Sequence, residues 1–396
     1  MRRPATVFAL LALWSTCAWP QPVALQTQTL VAGGVTRTVE VSDGLILETL
    51  SEALDRPRFL AFAPDRALFI GSRSGRIYRL APPYLRPRTS LELPGYPHSV
   101  AFDGERLLIA RSDGVFSVPW RPGLTRIAAD SLKRVARVPE GGSHSSRTIG
   151  IGPDRRVYIS LGISGNCSDE YLGDEYPFWR RRGGVLVLNE ARQPATWSMF
   201  ASGLRNPVGF DWHPETGVLY ASNNGPDHLG YELPPEYFSR LTAGSFHGMP
   251  WFQFDGDSLL RDRCIESPPP RPQSDVTLPV ATFPARNAPM GVAFVRRRDL
   301  LEDFAGDAVV ALRGSWGTAP SGSGSGDPAT RRHAKLVRVH FRDGQATGEI
   351  SDVVTGFQLA DGERWARPVG VVMGPDGALY FTSDEGSNGL FRLRRK

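Results

Sequence analysis

The sequence predicts an all-β protein, a six-bladed β-propeller with long inter-strand loop insertions. One supporting observation is compositional: 42 Gly and 33 Pro in 396 residues call for many turns and few long helices. A second is a recurring unit, an apolar strand, a Pro-Asp or related turn, and a β-branched and aromatic strand ending on Ser or Gly. The third is the spacing of these units, roughly 40 to 60 residues, which suits four-stranded blades.

The units follow in order. "FLAFAPDRALFIGSRSGRIYRL" (Phe59 to Leu80) is the first and "SVAFDGERLLIARSDGVFSVPW" (Ser99 to Trp120) the second. "TIGIGPDRRVYISLG" (Thr148 to Gly162), completed by "GGVLVLN" (Gly183 to Asn189), is the third, and "VGFDWHPETGVLYASNNGPD" (Val208 to Asp227) the fourth. "MGVAFV", "DAVVALRGSW" and "AKLVRVHF" compose the fifth, and "VGVVMGPDGALYFTSDEGSNGLFRL" the sixth. Each unit can bury its alternating face only against neighbours, which is the logic of a radial repeat. The strand-like "GLILETL" (Gly44 to Leu50) is placed to complete the last blade and close the ring. A pair of β-sandwiches is the competing fold, but it does not accommodate one turn-centred unit recurring six times.

Insertions are expected at about Asn166 to Arg182, His228 to Ser274 and Ala319 to Arg332, as rim loops. "SGSGSGDP" (Ser321 to Pro328) neither leads from a strand into a helix nor carries a Walker lysine, so it reads as a flexible loop. Residues 1–22 have Arg2 and Arg3, an apolar run and then small residues, the pattern of a secretory signal peptide. The run is short of the roughly 20 residues that span a bilayer. Residues 23–43 then form a lead-in and 44–396 the propeller.

Cys167 and Cys264 remain after the leader, and export makes a disulfide between them a hypothesis. The formal net charge of +5 is scattered, with short clusters at Arg180 to Arg182 and Arg296 to Arg298 and no recognition-helix pattern, which argues against nucleic acid. An anionic small ligand or an acidic partner suits that balance better.

No HExxH, CxxC pair, nucleophile elbow or dinucleotide fingerprint is present. A propeller enzyme gathers its site from loops of several blades at one channel mouth. "GSHSSRT", "GLRNPVG" and "WARPVG" each set an arginine just ahead of an apolar strand. If these loops are equivalent, Arg147, Arg205 and Arg367 converge with His144 on a cationic mouth suited to a polyanion, carboxylates above all. The alternative is that these arginines pair with blade-turn aspartates and that His144, like most histidines, is neither base nor ligand.

"GLRNPVGFDWHPETGVLYASNNGPDHLGYELPPEYFSRLTAGSFHGMPW" resembles the signature of the PQQ-dependent glucose/sorbosone dehydrogenase family, closest to its sorbosone-dehydrogenase-like branch. "HSSRTIGIGPDRRVYISLGISGN", "VVALRGSW" and "RPVGVVMGPDGALYFTSDEG" match further blocks in order, so the resemblance runs from about Leu45 to the end. It implies a six-bladed propeller, PQQ and Ca2+ as cofactors, a small sugar as substrate and a periplasmic electron acceptor. By position, His144 resembles the family's general base, and Arg205 and Asn206 the pair that contacts the quinone oxygens. Gly225 and Pro226 resemble the residues whose carbonyls bind calcium, and Arg313 and Arg367 stand where cations meet the PQQ carboxylates. Arg147 is expected either to bind PQQ or to orient its own loop. His98 is expected either to touch the cofactor or to pack.

The chain departs from the glucose-oxidising pattern at Ser143, where an aspartate is usual, and at "DHLGYE" after Gly-Pro. It departs from the sorbosone-like pattern at Ser146-Arg147-Thr148, where Thr-Arg-Asn is usual. The expected function is an exported dehydrogenase of an aldose or sugar aldehyde. A non-catalytic propeller binding a carbohydrate or protein is the second reading, and a metal-dependent lactonase, whose ligand set the sequence does not mark, the third.

Overall fold

The computed structural model describes residues 24–192, 194–296 and 299–396; the leader segment, Cys17, Arg297 and Arg298 lie outside the described residues. Among them, helical structure is confined to single 3-10 turns, and no helix is long and apolar enough to cross a membrane.

Six of the seven sheets among the described residues succeed one another along the chain as blades whose innermost strands pack around a channel; the seventh is a two-stranded ribbon, Phe252–Phe254 with Leu259–Arg261. From the inside outward, the first blade is Pro57–Phe62, Leu68–Ser72, Arg76–Leu80 and Arg88–Glu92. The second is Pro97–Phe102, Arg106–Arg111, Gly114–Pro119 and Lys133–Arg137. The third is Ile149–Ile151, Val157–Leu161, Gly184–Asn189 and Thr196–Ser202, with Ser245–Phe246 added in parallel. The fourth is Phe210–Trp212, Leu219–Asn223, Glu236–Leu241 and Ala281–Phe283.

The fifth blade, Pro289–Phe294, Ala308–Leu312, Lys335–Arg342 and Gln345–Thr355, is extended by the hairpin Val35–Ser42 and Leu25–Ala32. The sixth, Ala366–Met373, Leu379–Gly386 and Gly389–Arg395, takes its outer strand, Leu45–Ser51, from the other end of the chain. The ring therefore has no free blade edge at its seam. One expectation is corrected here. The segment from His228 to Ser274 is not a pure insertion, because Glu236–Leu241 is the third strand of the fourth blade. The alternation of Tyr237 and the other apolar residues was masked by flanking prolines.

Apolar side chains fill the spaces between blades. Phe69, Leu91, Leu107 and Ile109 pack between the first two, and Tyr220, Phe238, Val310 and Val337 between the fourth and fifth. The glycine of the recurrent "VG" lets the inner strands approach. A Cβ on Gly370 would lie 2.6 Å from the Arg58 carbonyl, and one on Gly209 2.0 Å from the Met290 carbonyl.

Candidate active site at the channel mouth

A proline opens several inner strands, and the ladder slips where it does. Register shifts fall between Pro57 and Leu60, Pro97 and Ser99, Pro289 and Val292, and Pro368 and Val371. Proline has no N–H for the ladder, so a bulge there costs little. Arg58, His98, Ala288 and Arg367 stand beside these bulges, and the loops carrying His144 and Arg205 lead into the inner strands of the third and fourth blades.

His144 is half-buried, and its Nδ1 is 2.6 Å from the Ile163 carbonyl oxygen. A carbonyl can only accept, so Nδ1 carries the hydrogen and Nε2 the lone pair. Burial, then the charge of Arg205, brings the imidazole pKa from 6.5 down to about 4, against the opposing pull of the Ile163 hydrogen bond and Asp227. The ring is neutral at neutral pH and able to accept a proton.

Gly162 brings His144 to Asn206. A Cβ there would lie 2.7 Å from both the His144 Cβ and the Asn206 Oδ1. The Asn206 backbone N–H donates to Asn223 Oδ1 at 2.9 Å, while its half-buried side-chain amide has no hydrogen-bond partner among the described residues. Arg205 is 5% exposed; its Nε donates to the Asn166 carbonyl at 2.8 Å, its Nη2 to Asn166 Oδ1 at 2.8 Å and its Nη1 to the Asn224 carbonyl at 3.3 Å.

Gly225 and Pro226 are both buried, and no donor among the described residues reaches either carbonyl. Two orphaned carbonyls side by side suit a hard cation such as calcium. The Gly225 N–H is held by Glu236 Oε2 at 2.5 Å, and burial pushes the Glu236 carboxyl up to about 7 against the pull of Arg286. Asp227 joins the two nearby cations, with Oδ1 2.7 Å from Arg286 Nη1 and Oδ2 3.7 Å from Arg205 Nη2. Arg205 and Arg286 thus balance Asp227 and Glu236.

The charge is not balanced beside blades five and six. Arg313 Nε meets Asp384 Oδ1 at 2.9 Å and its Nη2 meets Glu385 Oε2 at 3.3 Å, while Arg58 Nη1 pairs with the other Asp384 oxygen. Arg367 Nη1 reaches Glu385 Oε2 at 2.6 Å and Arg364 Nη2 reaches Oε1 at 3.7 Å. Arg58, Arg313, Arg364 and Arg367 face two carboxylates, so positive charge is in surplus and an anion is favoured. The Arg313 side chain is 20% exposed, against 5% for Arg367.

Arg147 and Arg367 are, like Arg205, buried and held by acceptors of the protein itself. Arg147 is fully buried and donates to the carbonyls of Pro139, His144 and Ser146, at 2.9, 2.8 and 2.7 Å, so it braces the His144 loop. Arg367 has all three guanidinium nitrogens engaged, by the Arg313 and Gly314 carbonyls at 2.9 Å each and by Glu385, and braces Arg313. His98 packs: it is 0% exposed, its Nδ1 is 2.7 Å from the Tyr96 hydroxyl, and its ring lies 4.7 Å from Phe59.

Arg58, which follows Pro57 just as a bulge begins, carried the same arginine-at-strand signal and was missed. Asp384 and Glu385, towards the end of a second strand, occupy the place of Asn224 and Gly225 in the fourth blade. Asn166, Asp227, Glu236 and Arg286 gave no sequence signal, because their partners are remote in the chain.

A cavity of about 1070 Å3 runs along the inner strands, lined in part by Phe62, Phe102, Thr148, Trp212, Phe294 and Met373.

Residues 128–392 match the family model described as glucose/sorbosone dehydrogenase. Three solved structures resemble the whole chain. The calcium structure of a Trichoderma reesei carbohydrate-active enzyme of family AA12 is 16% identical, with 90% of this chain and 96% of that one covered and a TM-score of 0.74. The holo form of the pyranose dehydrogenase PQQ domain from Coprinopsis cinerea is 18% identical, with 91% and 97% covered and a TM-score of 0.69. The PQQ-bound aldose sugar dehydrogenase from Streptomyces coelicolor is 17% identical, with 95% and 99% covered and a TM-score of 0.63. At these identities the likeness establishes the fold.

Proposed function

The chain belongs to the glucose/sorbosone dehydrogenase family, and from that premise we propose that it is an exported sugar dehydrogenase working with PQQ and calcium. Its substrate is an aldose or the hydrate of a sugar aldehyde, oxidised to a lactone or acid, with the electrons passing on to a periplasmic carrier. The observation that carries this reading is the neutral imidazole of His144, its Nε2 lone pair free, beside the partnerless amide of Asn206 and the charge of Arg205.

PQQ, when bound, supplies an electron-poor quinone that accepts hydride. His144 takes the proton of the substrate hydroxyl on Nε2. Arg205 and Asn206 would hold the quinone oxygens with N–H groups, which, being fixed beforehand, would stabilise negative charge there without reorganisation. The carbonyls of Gly225 and Pro226 hold calcium. Arg313, the most open of the surplus cations, meets carboxylate, with Arg58, Arg364 and Arg367 behind it. The PQQ-bound and calcium structures of proteins with this fold support the cofactor pair. The leader pattern of residues 1–22 supports export.

The test is reconstitution. Apoprotein is given PQQ and calcium and assayed by dye reduction with a sugar panel; saturable PQQ binding and sugar-dependent turnover are expected. Absence of binding at micromolar PQQ overturns the proposal, and sugar binding without turnover in the loaded protein favours a non-catalytic propeller instead.

A further inference from the structure

Two rim segments meet at the Cys167–Cys264 disulfide, which spans a sequence separation of 97 residues. Beneath it is a small apolar cluster of its own, Tyr171, Phe246, Trp251, Phe252 and Ile265, with Cys167 packed against it. The residues flanking the two cysteines are polar and point to one another. Asn166, next to Cys167, has its Nδ2 3.2 Å from His228 Nδ1, and the Nε2 of the same ring is 3.0 and 3.1 Å from the Asp262 carboxylate oxygens. Asp262 is 5% exposed and accepts from the Cys264 N–H at 3.0 Å and from Gln253 Nε2 at 3.1 Å. An amide nitrogen can only donate, so His228 accepts on Nδ1 and donates from Nε2 to Asp262.

The links therefore close a ring: Asn166, Cys167, the disulfide, Cys264, Asp262, His228 and Asn166 again. What the ring holds is Arg205. Asn166 accepts from Arg205 Nε on its carbonyl and from Arg205 Nη2 on its Oδ1, both at 2.8 Å, a two-point grip on one edge of the guanidinium. The same Oδ1 accepts the Asp227 backbone N–H at 2.8 Å, tying down the segment that begins with Gly225 and Pro226. A flexible arginine carries considerable rotamer freedom, and a charge-assisted two-point contact from a stapled loop removes it before a ligand arrives.

We propose that Asn166 is the positioning residue of Arg205, held in place by the Cys167–Cys264 disulfide and the His228–Asp262 pair. Its effect on cofactor binding rests on the function proposed above, whereas the anchoring of Arg205 does not. Replacing the side chain removes the Oδ1 contacts to Arg205 Nη2 and to the Asp227 N–H together, while the backbone carbonyl still accepts from Arg205 Nε, so one change at a rim loop acts on two contacts of the mouth.

The experiment reads Arg205 directly in the full-length apoprotein, by phenylglyoxal labelling and peptide mass spectrometry, with exposed Arg137 as the internal standard. PQQ affinity in the presence of calcium is measured in parallel. Asn166→Ala is expected to raise Arg205 labelling about tenfold and weaken PQQ binding by a similar factor, the size of losing a hydrogen bond to a charged group. Asn166→Asp keeps the Oδ1 acceptor used by Arg205 and Asp227, giving up only the Nδ2 contact to His228, and is expected to stay within about twofold of the parent, a rescue that a loop-packing role does not give. Cys167→Ser/Cys264→Ser is expected to raise Arg205 labelling as well, and it carries the test if Asn166→Ala does not fold. Parental labelling in Asn166→Ala, or in the double serine variant where Asn166→Ala is unfolded, overturns the proposal. The expected labelling pattern in a protein that binds no PQQ upholds the anchoring and overturns the cofactor reading alone.

Discussion

The Nδ1 of His144 lies 2.6 Å from the carbonyl oxygen of Ile163, one residue beyond the Gly162 that brings His144 to Asn206. That contact sets the tautomer and aims a lone pair rather than a hydrogen from Nε2. Replacing His144 by alanine should cut kcat by about 100-fold to 10,000-fold, the usual worth of a general base, while PQQ binding survives. Stopped-flow turnover and cofactor titration on one preparation check both halves.

The pH dependence follows from the same ring. Its pKa falls from 6.5 to about 4, so the base is ready above about 4, and the acid limb of kcat/KM should lie there rather than near 6.5. Stability has the matching sign. Unfolded histidine binds a proton more readily than the folded ring, so its contribution is complete above 6.5 and is lost as pH falls from 6.5 towards 4. A kcat/KM profile centred near 6.5 would contradict the assignment.

Gly162→Ala should lower turnover by roughly 100-fold, because the new Cβ displaces His144 or Asn206 and misplacement by about 1 Å has that effect. Gly162 is not among the positive-φ glycines, so its backbone accepts alanine. A variant that folds, and whose kcat equals the parent's, would show that the juxtaposition is immaterial.

Asp384 has a side chain only 2% exposed between Arg58 and Arg313. Asp384→Asn should destabilise the protein by about 3 to 5 kcal/mol in urea unfolding, since it leaves buried positive charge unpaired. Burial raises the Asp384 pKa, but Arg58 and Arg313 outweigh it and hold the carboxyl below its ordinary value. Its stabilisation is therefore full above the unfolded pKa and lost as pH falls through the folded one.

Calcium removal gives the last expectation. Chelation should abolish turnover of the reconstituted enzyme, and calcium at about 100 times its Kd should restore it and add about 2.7 kcal/mol of stability by mass action. Thermal unfolding with and without chelator measures the second effect independently of activity.

Much of this was legible along the chain. The recurring turn-centred unit announced six blades, and Gly44 to Leu50 could be placed as the strand that closes the ring, because strand alternation and turn chemistry are local properties. The loops carrying His144, Arg205 and Asn206 could be placed ahead of the inner strands of the third and fourth blades, because the repeat marks where those strands begin. The sequence by itself determined the repeat, the mouth at which its loops gather and the residue types offered there. Only the tertiary structure decided how deeply each cation is buried and which acceptors hold it. Arg147, Arg205, Arg313 and Arg367 look alike in sequence, yet Arg147, Arg205 and Arg367 are buried on carbonyls of their surroundings while the Arg313 side chain stays 20% exposed. Whether a guanidinium meets a ligand or a carbonyl depends on burial and on partners from remote segments, such as Asn166 for Arg205, and local pattern carries neither.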